Sequence, residues 1–211
     1  MLINTHKKFI FVSNTKTAST SIEVLLRDYS QIAITDPPAL KHMPYKKIVD
    51  LFYKLFKESQ YDINDFYAFG VFREPVDWVI SWFNYRSRKG IANPKNRDHS
   101  TYLGNISFED YVDSLHHDWL QPQKNRFVNH KGENAMNFLI EYDRLEQDFN
   151  FVWKQLGITD QTWSLPHRNK SENIRIKREE VSYPIEKKIK DYFAEDYEFL
   201  EEVKSKSSVI Q

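Results

Sequence analysis

The sequence predicts an α/β domain with a central, mainly parallel β-sheet flanked by helices, and three observations lead there. Three short apolar runs, at residues 9–12, 66–72 and 136–142, each pass within a few residues into a helix-like pattern. The middle run, Phe66-Tyr67-Ala68-Phe69-Gly70-Val71-Phe72, is apolar almost without alternation, as expected of a parallel strand covered on both faces. The chain has 211 residues, rich in Phe and Tyr and poor in Gly, enough to bury about 70% of its unfolded surface around one core. A single domain is expected over 1–211, with 1–204 as its core and 205–211 as a fraying tail.

The first strand, Phe9-Ile10-Phe11-Val12, breaks into Ser13-Asn14-Thr15-Lys16-Thr17-Ala18-Ser19-Thr20-Ser21. A helix restarts there with Ile22, Leu25 and Leu26 on its apolar face. A helix N-terminus leaves about four N–H groups unpaired and carries roughly half a positive charge, so an anion placed there meets donors already aimed at it. Lys16 adds a point charge, and Thr17, Ser19, Thr20 and Ser21 add hydroxyl donors. An N-capping Ser or Thr beside a solvated lysine would account for the same stretch. The phosphate loop G-x-x-x-x-G-K-[ST] is disfavoured, because this turn contains no glycine.

Residues 31–35 suggest a second short strand, closed by Asp36-Pro37-Pro38. His42 then stands at the mouth of a helix with Pro44 in its first turn and Ile48, Leu51, Phe52 and Leu55 on one face. The strand at 66–72 leads through Arg73-Glu74-Pro75 into a helix over 76–88, a second strand end that carries a cation. Ligands of open α/β sheets lie beyond the carboxyl ends of the strands, so Lys16 and Arg73 are placed to face one crevice. Ser81 follows Arg73 by eight residues.

Residues 90–105 read as a long polar loop and a candidate lid, and Ser107 as the N-cap of a short helix. His116, His117 and Asp118 fit no metal-ligand spacing. A third strand at 136–142 feeds a helix over 143–156 that Gly157 stops. A basic loop follows at 163–174, and a closing helix is expected over 181–203.

Thirty basic residues balance thirty acidic ones, so no global field favours duplex DNA or RNA. The absence of cysteine excludes thiolate catalysis, disulfides and cysteine-bound metals, and suits a reducing compartment. No run is long enough for a membrane span, and the chain is read as soluble and cytoplasmic.

Taken together, the segments resemble the sulfotransferase family, of the carbohydrate type similar to heparan sulfate 2-O-sulfotransferase. Thr15-Lys16-Thr17-Ala18-Ser19-Thr20-Ser21 resembles the family's 5′-phosphosulfate loop, P-K-T-x-S-T-S. Arg73-Glu74-Pro75 with Ser81 resembles its 3′-phosphate motif, R-[DE]-P-x(5)-S. Residues 142–149 resemble a block of unassigned chemistry, and Leu165-Pro166-His167-Arg168-Asn169-Lys170-Ser171 a late loop over the nucleotide.

The resemblance implies a P-loop-like three-layer sandwich that moves a sulfuryl group from 3′-phosphoadenosine 5′-phosphosulfate (PAPS) to a hydroxyl, releasing 3′-phosphoadenosine 5′-phosphate (PAP), with no metal. It implies Lys16, Thr17, Ala18, Ser19, Thr20 and Ser21 on the phosphosulfate. It further implies Arg73 and Ser81 on the 3′-phosphate, and Asn169, Lys170 and Ser171 over the nucleotide. His42 falls where the 2-O-sulfotransferases carry a catalytic histidine and would act neutral, near its reference pKa of about 6.5. Thr15 stands where the family has proline, and Leu40 where it has a second histidine, which leaves His167 or Glu23 as other bases. The acceptor implied is a saccharide. A small-molecule kinase would need glycine loops and acidic magnesium ligands that do not stand out, and a non-catalytic sugar- or nucleotide-binding module would suit the aromatic content.

Overall fold

The computed structural model describes residues 1–117, 120–158, 163–165 and 174–207. The chain divides into two compact units. The first comprises Met1–Arg73, Gln123–Arg168 and Glu198–Gln211, and the second Glu74–Pro122 and Asn169–Tyr197.

In chain order the first unit contains β1 (Leu2–Asn4), β2 (Phe9–Val12), α1 (Ser19–Leu26), β3 (Ile32–Ala33), α2 (Pro38–Lys41), α3 (Tyr45–Leu51), α4 (Tyr53–Phe56) and β4 (Tyr67–Phe72). The second unit holds α5 (Pro75–Arg86) and α6 (Phe108–Asp113). The chain then returns to the first unit for β5 (Phe138–Glu141) and α7 (Leu145–Gln155), and to the second for α8 (Tyr183–Tyr192). The last helix, α9 (Ala194–Ser207), begins in the second unit and belongs to the first from Glu198 onward.

All five strands form one sheet in the order β3-β1-β2-β4-β5. The sheet is mixed. β2, β4 and β5 run parallel, with Val12 beside Gly70 and Gly70 beside Leu139, whereas β1 pairs antiparallel with both β2 and β3. The parallel part matches the expectation; the antiparallel edge adds β1, which three residues without periodicity do not announce.

Alternation along the strands sends side chains to two apolar clusters. Ile10, Val12, Ala68, Phe72 and Leu139 join Ile48, Phe127 and Phe199. Phe9, Phe11, Phe69, Val71 and Ile140 join Ile22, Leu26, Phe149 and Val152. Both faces are thereby covered, which is why the parallel strands tolerate apolar residues at every position. Gly70 is required by close packing: a Cβ there would stand 2.4 Å from the Phe127 ring.

Two expectations are revised. Leu51 is 55% exposed, because α3 stops at Phe52 and α4 restarts, so Ile48 and Phe52 carry the contact with the core. The closing helix is two helices, broken where Phe193 leaves the helical region at φ −103°, ψ 27°. In the second unit Arg86 is buried, with its guanidinium over Trp82 and Tyr111 at 5.1 and 6.0 Å.

Candidate active site

The loop after β2 is built by its own side chains. Asn14, fully buried, accepts the Thr15 N–H through Oδ1 at 2.8 Å, and its carbonyl accepts the Thr17 hydroxyl at 3.1 Å. These bonds turn the chain sharply, and without glycine two L-residues take the left-handed conformation: Lys16 at φ 60° and Ala18 at φ 56°. Each costs on the order of 1 kcal/mol, strain of a kind that persists where the surroundings over-determine the backbone. Left-handed residues in such turns point successive N–H groups into one concavity, the backbone form of an anion site. The N-cap of α1 is Ala18, which has no side-chain acceptor, and the first turn carries no acidic residue. The simple reading of a Ser or Thr cap is therefore replaced: the N-cap position is an alanine and supplies no side-chain bond to the helix start.

The second junction meets the first. Because β2 and β4 are parallel neighbours, both chains leave the sheet at the same end, and Arg73 Nη1 donates to the Lys16 carbonyl at 3.1 Å. The guanidinium lies 4.2 Å from the ring centroid of Tyr142, at the end of β5, so three adjacent strand ends converge. Arg73 Nε is buried and has no hydrogen-bond partner among the described residues, and no carboxylate among them pairs with Arg73. A buried donor left unbonded costs about 1–3 kcal/mol, which an anion would recover.

Gln123, 1% exposed, spans both junctions. Its Oε1 accepts from Asn14 Nδ2 at 2.9 Å and from the Arg73 N–H at 3.2 Å, and its Nε2 donates to the Arg73 carbonyl at 2.7 Å.

In the second unit Glu74 and Pro75 start α5. Glu74 Oε2 accepts the Asp77 N–H at 2.9 Å as N-cap, with Arg178 at 3.3 Å and the Tyr197 hydroxyl donating to Oε1, and Pro75 sits in the first turn. The acid and proline of the motif thus shape the helix start. Ser81 lies on α5, half-buried.

His42 ends α2. Its Nδ1 lies 3.2 Å from the Ser13 carbonyl and 3.1 Å from the Ser13 hydroxyl, immediately before the loop that bears Lys16. A carbonyl can only accept, so Nδ1 carries the proton and Nε2 the lone pair. The expected pKa near 6.5 is corrected: burial, reinforced by Lys41 and Arg126, depresses it to about 3, against the raising effect of the Ser13 carbonyl. The ring is neutral at physiological pH, held on its tautomer, and a weak base in the free protein.

Lys41 bridges Glu23 Oε2 at 2.7 Å and Thr20 Oγ1 at 3.0 Å. An ammonium only donates, so the Thr20 oxygen accepts and its own hydrogen is left to point elsewhere. Glu23, 3% exposed, also faces the Met1 amino group at 3.4 Å. Buried and held by the Lys41 ammonium, it is not placed as a base, which corrects that alternative.

Lys16, Thr17, Ala18, Ser19, Thr20 and Ser21 therefore lie in one turn and helix start, with Arg73 bonded to the Lys16 carbonyl and His42 to Ser13, the residue after β2. His167, Arg168, Asn169, Lys170 and Ser171 fall outside the described residues. His116 packs edge-on against Tyr192 at 5.2 Å. Sequence reasoning missed Gln123, Asn14 and Lys41; only the adjacency of Lys41 to His42 hinted at any of them.

A model of the sulfotransferase family matches residues 1–201. The chain belongs to the sulfotransferase family. Sulfotransferases are transferases that move a sulfuryl group to a hydroxyl acceptor, and PAPS is the family's general donor. No curated protein and no solved structure matches this sulfotransferase. Among its described residues, no helix is long and apolar enough to cross a membrane.

Proposed function

We propose that this sulfotransferase transfers the sulfuryl group of PAPS to a saccharide hydroxyl in a P-loop-like three-layer domain. The observation that carries the reading is the buried Nε of Arg73, without a hydrogen-bond partner among the described residues, beside a glycine-free turn that bears Lys16 and has Ala18 as the N-cap of α1. In this scheme the N–H groups from Thr17 to Thr20 hold the 5′-phosphate, with the hydroxyls of Ser19, Thr20 and Ser21 in support. Arg73 and Ser81 hold the 3′-phosphate, and Asn169, Lys170 and Ser171 cover the nucleotide.

The acceptor oxygen attacks sulfur in line, the bond from sulfur to the bridging oxygen breaks, and PAP leaves. Lys16 stabilises the charge that grows on that oxygen. The acceptor's proton goes to His42 Nε2. A base with a pKa of about 3 accepts it poorly in the free protein, and the negative charge of bound PAPS would oppose the depression by Lys41 and Arg126. The pKa of His42 thus rises toward the working range when the nucleotide binds.

Calorimetry with PAP and with ATP tests the nucleotide: PAP binds and ATP does not. Transfer from labelled PAPS to saccharides, phenols and lipids then identifies the acceptor. Magnesium-dependent consumption of ATP, with no uptake of PAP, would replace this reading with a kinase.

A further inference from the structure

Gln123 belongs to neither phosphate-binding segment, yet its bonds join the two. One end of its amide meets the buried Asn14, whose Oδ1 in turn holds the Thr15 N–H at the entry to the Lys16 turn. The amide also closes a ring with both backbone groups of Arg73, accepting from its N–H and donating to its carbonyl. Gln123 lies 50 residues beyond Arg73 and 109 beyond Asn14, so this connection is wholly tertiary. A second tie runs directly from Arg73 Nη1 to the Lys16 carbonyl, and it uses the guanidinium that would also meet the anion. Gln123 holds the backbones and leaves that guanidinium available.

The geometry points to Gln123, acting through Asn14, as a positioning residue that sets the distance between the two phosphate-binding segments and so selects a doubly phosphorylated nucleotide over a singly phosphorylated one. This rests on the reading of the site as one for PAPS. A ligand with two anionic ends gains ~10²–10⁴-fold from a second contact, and only when the spacing of the two sites matches its own. A nucleotide with one phosphate uses one segment and is indifferent to the spacing.

The test is calorimetry of wild type, Gln123→Ala and Gln123→Glu with PAP, 5′-AMP and 3′-AMP, alongside thermal melting. The glutamate variant keeps an acceptor for Asn14 and the Arg73 N–H but turns an oxygen toward the Arg73 carbonyl, and it serves if the alanine variant does not fold. The expected result is a loss of PAP affinity of ~10²-fold with the two monophosphates changed by less than ~3-fold, and a matching rise in the KM for PAPS larger than any fall in kcat. If all three nucleotides weaken by the same factor, or none weakens, Gln123 merely fills the core and the inference is overturned while the PAPS site stands. If wild type takes up no PAP, the underlying reading fails together with it.

Discussion

Replacing His42 by Gln tests the electrostatics of the site through stability as well as through rate. In the folded protein burial keeps the imidazole neutral down to about pH 3, whereas in the unfolded chain it protonates at its ordinary 6.5. Below 6.5 the unfolded state therefore binds the extra proton, and His42 removes stability progressively as pH falls, until the loss levels off near pH 3. At about pH 5 the unfolded ring is about 1.5 units below its pKa, which at about 1.36 kcal/mol per unit is a loss of about 2 kcal/mol relative to neutral pH. Urea unfolding of wild type and His42→Gln at about pH 7.5 and about pH 5 isolates this from the other histidines: wild type should lose about 2 kcal/mol more than the variant. Equal losses in the two proteins would refute the buried, neutral ring. In turnover, kcat/KM should show no inflection from His42 near pH 6.5, and the variant should lose ~10²-fold or more in kcat with PAP binding nearly intact.

Further outcomes follow from the same geometry. Lys16→Ala should lower sulfuryl transfer by ~10²–10³-fold, and Arg73→Ala should chiefly raise the Kd for PAP by ~10-fold or more, read by labelled transfer and by calorimetry. Gly70→Ala should cost about 1–3 kcal/mol in thermal unfolding, since the new methyl would meet both the Phe127 ring and the Val12 carbonyl at 3.1 Å. Glu74→Ala should cost about 1–2 kcal/mol in equilibrium unfolding, because it removes the cap of α5 together with the partner of the Tyr197 hydroxyl.

The apolar run at residues 66–72 announced a covered parallel strand, and β4 is one, because hydrophobicity at consecutive positions has few other uses in so short a segment. Residues 2–4 carry no comparable pattern; Leu2, Ile3 and Asn4 become a strand by pairing with Phe9–Val12, which no local signal encodes. The site divides in the same way. Lys16 and Arg73 were legible because each follows a strand directly, and parallel pairing of those strands brings the two ends together. Gln123 sits in Gln-Pro-Gln with nothing local to distinguish it, and its importance arises from partners far away in the chain. Glu23 illustrates the reverse: as a residue near the loop it qualified as a base, and its burial between Lys41 and the Met1 amino group disqualifies it.

By itself the sequence determined where two strands end in cations and where each following helix begins, since apolar runs, prolines and hydroxyl-rich turns act over a few residues. Tertiary structure alone decided that Arg73 keeps a buried Nε without a hydrogen-bond partner among the described residues, and that His42 is neutral with its lone pair on Nε2. Desolvation and hydrogen-bond satisfaction are sums over everything packed around a group, and the partners of Arg73 and His42 come from distant parts of the chain.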